Sequence, residues 1–104
     1  MNDMKNTRKA SPDEIDTIFA VAGAIAQFVA QLQKTGVDSN AVLTGLALYE
    51  AFVCLENNLD IDEFGTAHDH TLRHNYEALR REQVEAGAQA SQEASLTLPQ
   101  GFKF

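Results

Sequence analysis

Residues 11–36 read SPDEIDTIFAVAGAIAQFVAQLQKTG, and this stretch decides the fold class. Ser11 suits a helix N-cap, Pro12 takes the first helical position, where a missing N–H is harmless, and Glu14 completes a capping box. Asp13, Glu14 and Asp16 put negative charge at the positive end of the helix dipole. Gly36, following Lys34 and Thr35, suits the left-handed residue that ends a helix. The pattern predicts a helix over residues 12–35. Its apolar side chains, from Ile15, Ile18 and Phe19 through Val21, Ala22 and Ile25 to Phe28, Val29 and Leu32, recur at helical rather than strand spacing. They cover roughly half the helix circumference, wider than the ~100° stripe that suffices for a surface helix. One neighbouring helix would not bury them all. Ala22, Ala26 and Ala30 repeat at i+4 and allow another backbone to approach closely.

Downstream, Asp38, Ser39 and Asn40 are candidate caps for a second helix reaching Glu56, with Asn57-Asn58 as terminator. Two apolar stripes run along it: Val42, Leu46, Tyr49 and Val53, then Leu48, Phe52 and Leu55 about a third of a turn away. Leu43 and Cys54 lie to the other side of the first. A helix apolar almost all round is a buried one, and a short chain has few elements with which to bury it. Residues 59–65, LDIDEFG, read as a connector whose three apolar side chains tuck under the core. A third helix is expected from Thr66 towards Ala86, with Leu72, Tyr76 and Leu79 as its narrow apolar face and Glu77–Arg81 as an i,i+4 ion pair. Residues 1–10 and 87–104 read as flexible tails around a helical domain at 11–86. The second tail carries Leu96, Leu98, Phe102 and Phe104. The expected fold is therefore all-α, a three-helix chain that pairs as a helical-bundle homodimer.

The chain has 104 residues, room for one domain whose core is modest. Chains of this size often complete a core by pairing with a copy of themselves. The formal charge of −7 and the scattered basic residues exclude the clustered Lys and Arg that nucleic acid demands. A solvated acidic surface is the reading of that charge. Cys54 is alone, so neither an internal disulfide nor a Cys-based zinc cage is available, and its apolar setting suits a packed thiol. Residues 1–10 lack an apolar signal core. The apolar stretch 18–30, interrupted by Gly23 and Gln27, reads as too short to span a bilayer. These features predict a cytoplasmic protein.

The residues offer little chemistry. His70 and His74 stand i,i+4 on the third helix, a spacing that can place two imidazoles on one metal. His68, Asp69 and Glu63 lie near in sequence. The glutamate of the HExxH pattern is missing, however, and the pair points away from the Leu72 face, so both are read as solvated histidines. The run Asp60-Ile61-Asp62-Glu63 resembles the end of an EF-hand loop, but the first-ligand position falls on Phe52 and the sixth carries no Gly. There is no Gly-rich phosphate loop and no Gly-x-Ser-x-Gly elbow. No enzyme, no cofactor and no metal are expected.

What remains is surplus apolar helix surface, which on a soluble chain usually marks an interface. It serves self-association, partner docking or both. The run from Ser11 to Glu85, including SPDEIDTIFAVAGAIAQFVAQL and AVLTGLALYEAFVCLENNLD, resembles the small helical antiactivators that restrain quorum-sensing transcription regulators. The resemblance implies a homodimer that binds the ligand-binding domain of an acyl-homoserine-lactone-responsive transcription activator and covers its dimerisation surface. On that reading Leu43, Leu46, Tyr49 and Phe52 dock the partner, while Ile18, Ala22, Ile25 and Val29 join the copies. The alternative is a helical homodimeric adaptor or structural protein with another partner, or a metal-binding helical dimer.

Overall fold

The computed structural model describes residues 6–85 and 95–104. Three helices follow one another, α1 (Pro12–Lys34), α2 (Ser39–Glu56) and α3 (Ile61–Glu85), bracketed by two short strands, β1 (Thr7–Lys9) and β2 (Thr97–Pro99). The fold is mostly helical, as the periodicity predicts.

The predicted start of α1 is present in full. The Glu14 N–H donates to Ser11 Oγ at 3.2 Å and the Ser11 N–H donates to Glu14 Oε1 at 2.9 Å, the reciprocal capping box. The helix ends in a Schellman motif. Gly36 takes φ +90°, its N–H donates to Gln33 O at 3.0 Å, and the Val37 N–H reaches Leu32 O at 3.2 Å. At the end of α2, Asn58 takes the same role at φ 57°, and the Leu59 N–H donates to Cys54 O at 2.9 Å. Asp38 caps α2 through the Asn40 N–H at 2.9 Å.

The third helix departs from expectation. It begins at Ile61, inside the segment read as a connector. The Asp60 carboxylate accepts from the N–H groups of Asp62 (2.8 Å) and Glu63 (3.2 Å), so the acidic run is an N-cap and a first turn aligned with the helix dipole. Ile61 is correspondingly exposed rather than tucked under a core, while Leu59 and Phe64 are half-buried. Glu77 pairs at i,i+3 with Arg80, 3.7 Å away.

The tails also differ from two unattached ends wherever they are described. β1 and β2 pair antiparallel, with Thr7 opposite Pro99, Arg8 opposite Leu98 and Lys9 opposite Thr97. The Ala10 N–H donates to Leu96 O and the Gln100 N–H to Asn6 O, both at 2.8 Å. These pairs alternate with Thr7–Pro99, which is thus a non-hydrogen-bonded pair where proline's missing donor is tolerated. Of residues 87–95, expected to fray, only Ser95 is among the described residues.

The chain ends supply the core. Ala10, Ala78 and Leu96 are buried together, with Ile15, Ile18, Phe19 and Leu98 packed partly against them. β2 lies along α3, where the Asn75 side-chain amide donates to Thr97 O (3.1 Å) and its oxygen accepts from the Thr97 N–H (2.9 Å). Asn75 thereby acts like one residue of a third strand.

Candidate protein-docking surface

The apolar surface left over after this packing is large. Among the described residues fourteen large hydrophobic side chains are 40–77 % exposed, from Val21, Ile25 and Phe28 on α1 to Leu72, Tyr76 and Leu79 on α3, with Phe104 at the end. Six of them lie on α2: Leu43, Leu46, Leu48, Tyr49, Phe52 and Leu55. Only Cys54 of α2 is buried. The helix expected to be the most enclosed is the most open, because α1 packs extensively on neither α2 nor α3. Fully burying one such side chain contributes roughly 1.5–3 kcal/mol, so leaving fourteen about half exposed forgoes on the order of 10–20 kcal/mol. That is comparable with the whole net stability of a domain, about 5–15 kcal/mol.

Part of this surface is concave. Ala24, Ile25, Phe28, Val29 and Leu32 of α1, Val37 of the turn, and Ala41, Val42, Gly45 and Leu46 of α2 line a groove of about 490 Å³. The turn between the helices is spanned by the Gln33 side-chain amide, which donates to Ser39 Oγ at 2.9 Å. No lining side chain carries a hydrogen-bonding group.

The residues expected to join the copies are thereby separated. Ile25 and Val29 line the groove; Ile18 packs against the chain-end core, and Ala22 is exposed outside both. The expected docking residues are also distributed. Leu46 belongs to the groove, while Leu43, Tyr49 and Phe52 are 63 %, 66 % and 53 % exposed outside it.

The buried face of α3 is not the Leu72/Tyr76/Leu79 line, which is exposed. It is Ala67, Thr71, His74, Asn75 and Ala78, whose small and amide side chains let a strand backbone lie against the helix. The i, i+4, i+7, i+8, i+11 recurrence was there to be read, but a hydrophobicity scale ranks those residues low. His70 and His74 are accordingly half-buried, not solvated. His74 Nε2 lies 2.8 Å from Ser95 O and donates to it, and His70 stacks on His74 with ring centroids 6.1 Å apart. His68 joins α3 to α2 through Glu50, 3.0 Å from its Nε2, and stacks on Phe64, which meets Phe102 edge-on at 5.4 Å. Among the described residues no three His, Cys, Asp or Glu side chains gather as metal ligands.

α1 corrects one expectation about membranes. It has 23 residues, and its most apolar window reaches a mean hydropathy of 1.6, enough by length and composition alone to cross a bilayer. The interruptions at Gly23 and Gln27 do not shorten the helix, so length gives no argument against a span.

The geometry defines a mostly helical protein with an open apolar surface. Compared with protein-family models, curated proteins and solved structures, the chain matches none.

Proposed function

We propose that the chain is a cytoplasmic antiactivator. As a homodimer it binds the ligand-binding domain of an acyl-homoserine-lactone-responsive transcription activator, covering the surface through which the activator dimerises. The observation that carries the reading is the exposure of six large apolar side chains on α2 alone, in a chain of net charge −7 with few basic residues to hold DNA. Such a helix is built to be covered by protein, and its aromatic anchors Tyr49 and Phe52 are the residue types that dominate interface energies. The resemblance along Ser11–Glu85 selects the partner. α1 is read as interface rather than as a membrane span because it opens on Asp13, Glu14 and Asp16 and carries Gln27, Gln31 and Gln33 along its length.

The mechanism needs no catalytic group, metal or cofactor. Dimeric activators hold two half-sites with two-fold symmetry, so a monomer loses half its contacts and most of its affinity. An antiactivator need only bind the activator's dimerisation face more tightly than a second activator does.

The test is fluorescence anisotropy of a labelled two-fold site bound by the activator, titrated with this chain. The expected result is release of the DNA at near-stoichiometric ratios, and loss of that effect by at least ~30-fold in Tyr49→Glu/Phe52→Glu, with helical circular dichroism retained. Unchanged DNA binding at a large excess of the folded wild-type chain refutes the proposal.

A further inference from the structure

The segment from Ser95 onwards is held to α3 through its backbone. It runs antiparallel to the helix, for Ser95 meets His74, Thr97 meets Asn75, and Phe102 meets Phe64. Alternate residues are read. Ser95 O accepts from His74 Nε2 at 2.8 Å, and Thr97 both donates its N–H to Asn75 Oδ1 at 2.9 Å and accepts from Asn75 Nδ2 at 3.1 Å. The residues between them turn to β1 instead, where Leu96 O accepts from the Ala10 N–H and the Gln100 N–H donates to Asn6 O. Two consecutive helix side chains thus read a strand as a neighbouring strand would, by main-chain hydrogen bonds. We infer that this face of α3, with β1 beside it, is a binding site for an extended polypeptide segment of another protein, and that the chain's own residues 95–100 fill it until they are displaced.

Three observations support exchange. The first is how the site recognises its occupant. Hydrogen bonds to the main chain are open to any extended segment, and selectivity comes from the side chain that is buried between them. That side chain is Leu96, enclosed with Ala10 and Ala78, so the site takes a branched apolar residue followed by one with a free N–H. The second is an imperfect fit. Pro99 is the next residue in the alternation to face α3, and it has no N–H to give. Thr71 stands one turn before Asn75 on the same face, and its Oγ1 is enclosed without a hydrogen-bond partner. Thr97 Oγ1 and the Nε2 of His70, which stacks on His74, are enclosed and unpartnered too. Buried polar groups are ordinarily paired, so the resident segment leaves bonds unmade that another segment can make. The third is tethering. Nine residues, 86–94, separate the segment from α3, which sets its effective concentration on the order of millimolar. A tethered occupant at that level holds the site without a high intrinsic affinity.

The assignment gives the buried face of α3 a role besides packing. An arriving segment takes over both the pairing with β1 and the cover of Ala78, so α1 keeps its attachment to α3 through the exchange. The site lies apart from the exposed stripes of α2, and filling it leaves them open.

Fluorescence anisotropy of a labelled peptide of residues 95–104, titrated with the full chain, tests this. Thr97→Pro in the chain removes the N–H that Asn75 accepts and leaves the hydrogen bonds to β1 in place. It weakens the resident segment and is expected to tighten capture of the peptide at least ~10-fold over wild type. Adding Asn75→Ala to Thr97→Pro should take that gain away. A folded Thr97→Pro chain that captures no more peptide than wild type, or a gain that survives Asn75→Ala, overturns the assignment. If Thr97→Pro does not fold, hydrogen exchange on the unaltered chain decides. The N–H groups of Thr97 and Gln100 should then exchange at least ~10-fold faster than those of Thr71 and Ala78 within α3. Equal protection would mean that the segment leaves only when the whole chain unfolds, and overturns the assignment as well.

Discussion

Glu14 carries two duties on one side chain. It closes the capping box of α1 and receives both guanidinium nitrogens of Arg8, at 2.8 Å and 2.5 Å, tying β1 to the start of the helix. The Arg8 hydrogen bonds, with help from the Ser11 N–H, lower its carboxyl pKa to about 2 against an ordinary 4.5. A depressed folded-state pKa means that the contribution is complete above about pH 4.5 and is lost as pH falls towards 2. Thermal melts between pH 5 and pH 2 should therefore show a steeper loss of midpoint in wild type than in Glu14→Gln, and equal slopes would contradict the tie. The capping half of this arrangement was legible in Ser11-Pro12-Asp13-Glu14, because capping is local. Arg8 was not, because its approach depends on β1 being held by residues ninety positions away in the chain.

At the scale of elements, punctuation was read more accurately than burial. Gly36 and Asn57-Asn58 end α1 and α2 as their residue types require. Gly65, the last residue of the expected connector, instead lies inside α3, because the Asp60 cap and the acidic first turn outweigh a single helical glycine, which costs about 1 kcal/mol. Since an added Cβ at Gly65 meets nothing within 4 Å, Gly65→Ala should stabilise the protein by about 0.5–1 kcal/mol, measured by chemical denaturation. Destabilisation would mean that the helix does not run through this position. The buried face of α3 was missed for a related reason. Ala67, Thr71, Asn75 and Ala78 do not look like a core until a strand backbone is laid on them, and β2 comes from a tail whose Thr-Leu-Pro is too short to announce itself.

For the whole molecule, the width of the apolar arc on α1 and the near-complete apolar girth of α2 foretold more surface than one short chain can cover. The structure shows that surplus as open helix faces around a small core of Ala10, Ala78 and Leu96. How the surplus divides was not legible, because helical wheels do not show which neighbour each face meets. The turn at residues 35–38 turns Ile25, Val29 and Leu46 into one groove, whereas the two faces had seemed separate. A surface of this kind is expected to be covered by protein. Light scattering behind size exclusion, on the chain alone and mixed with the ligand-binding domain of an acyl-homoserine-lactone receptor, tests this most directly. A dimer that forms a stable complex and removes the receptor dimer is the predicted result, and a monomer that leaves the receptor dimeric would contradict it.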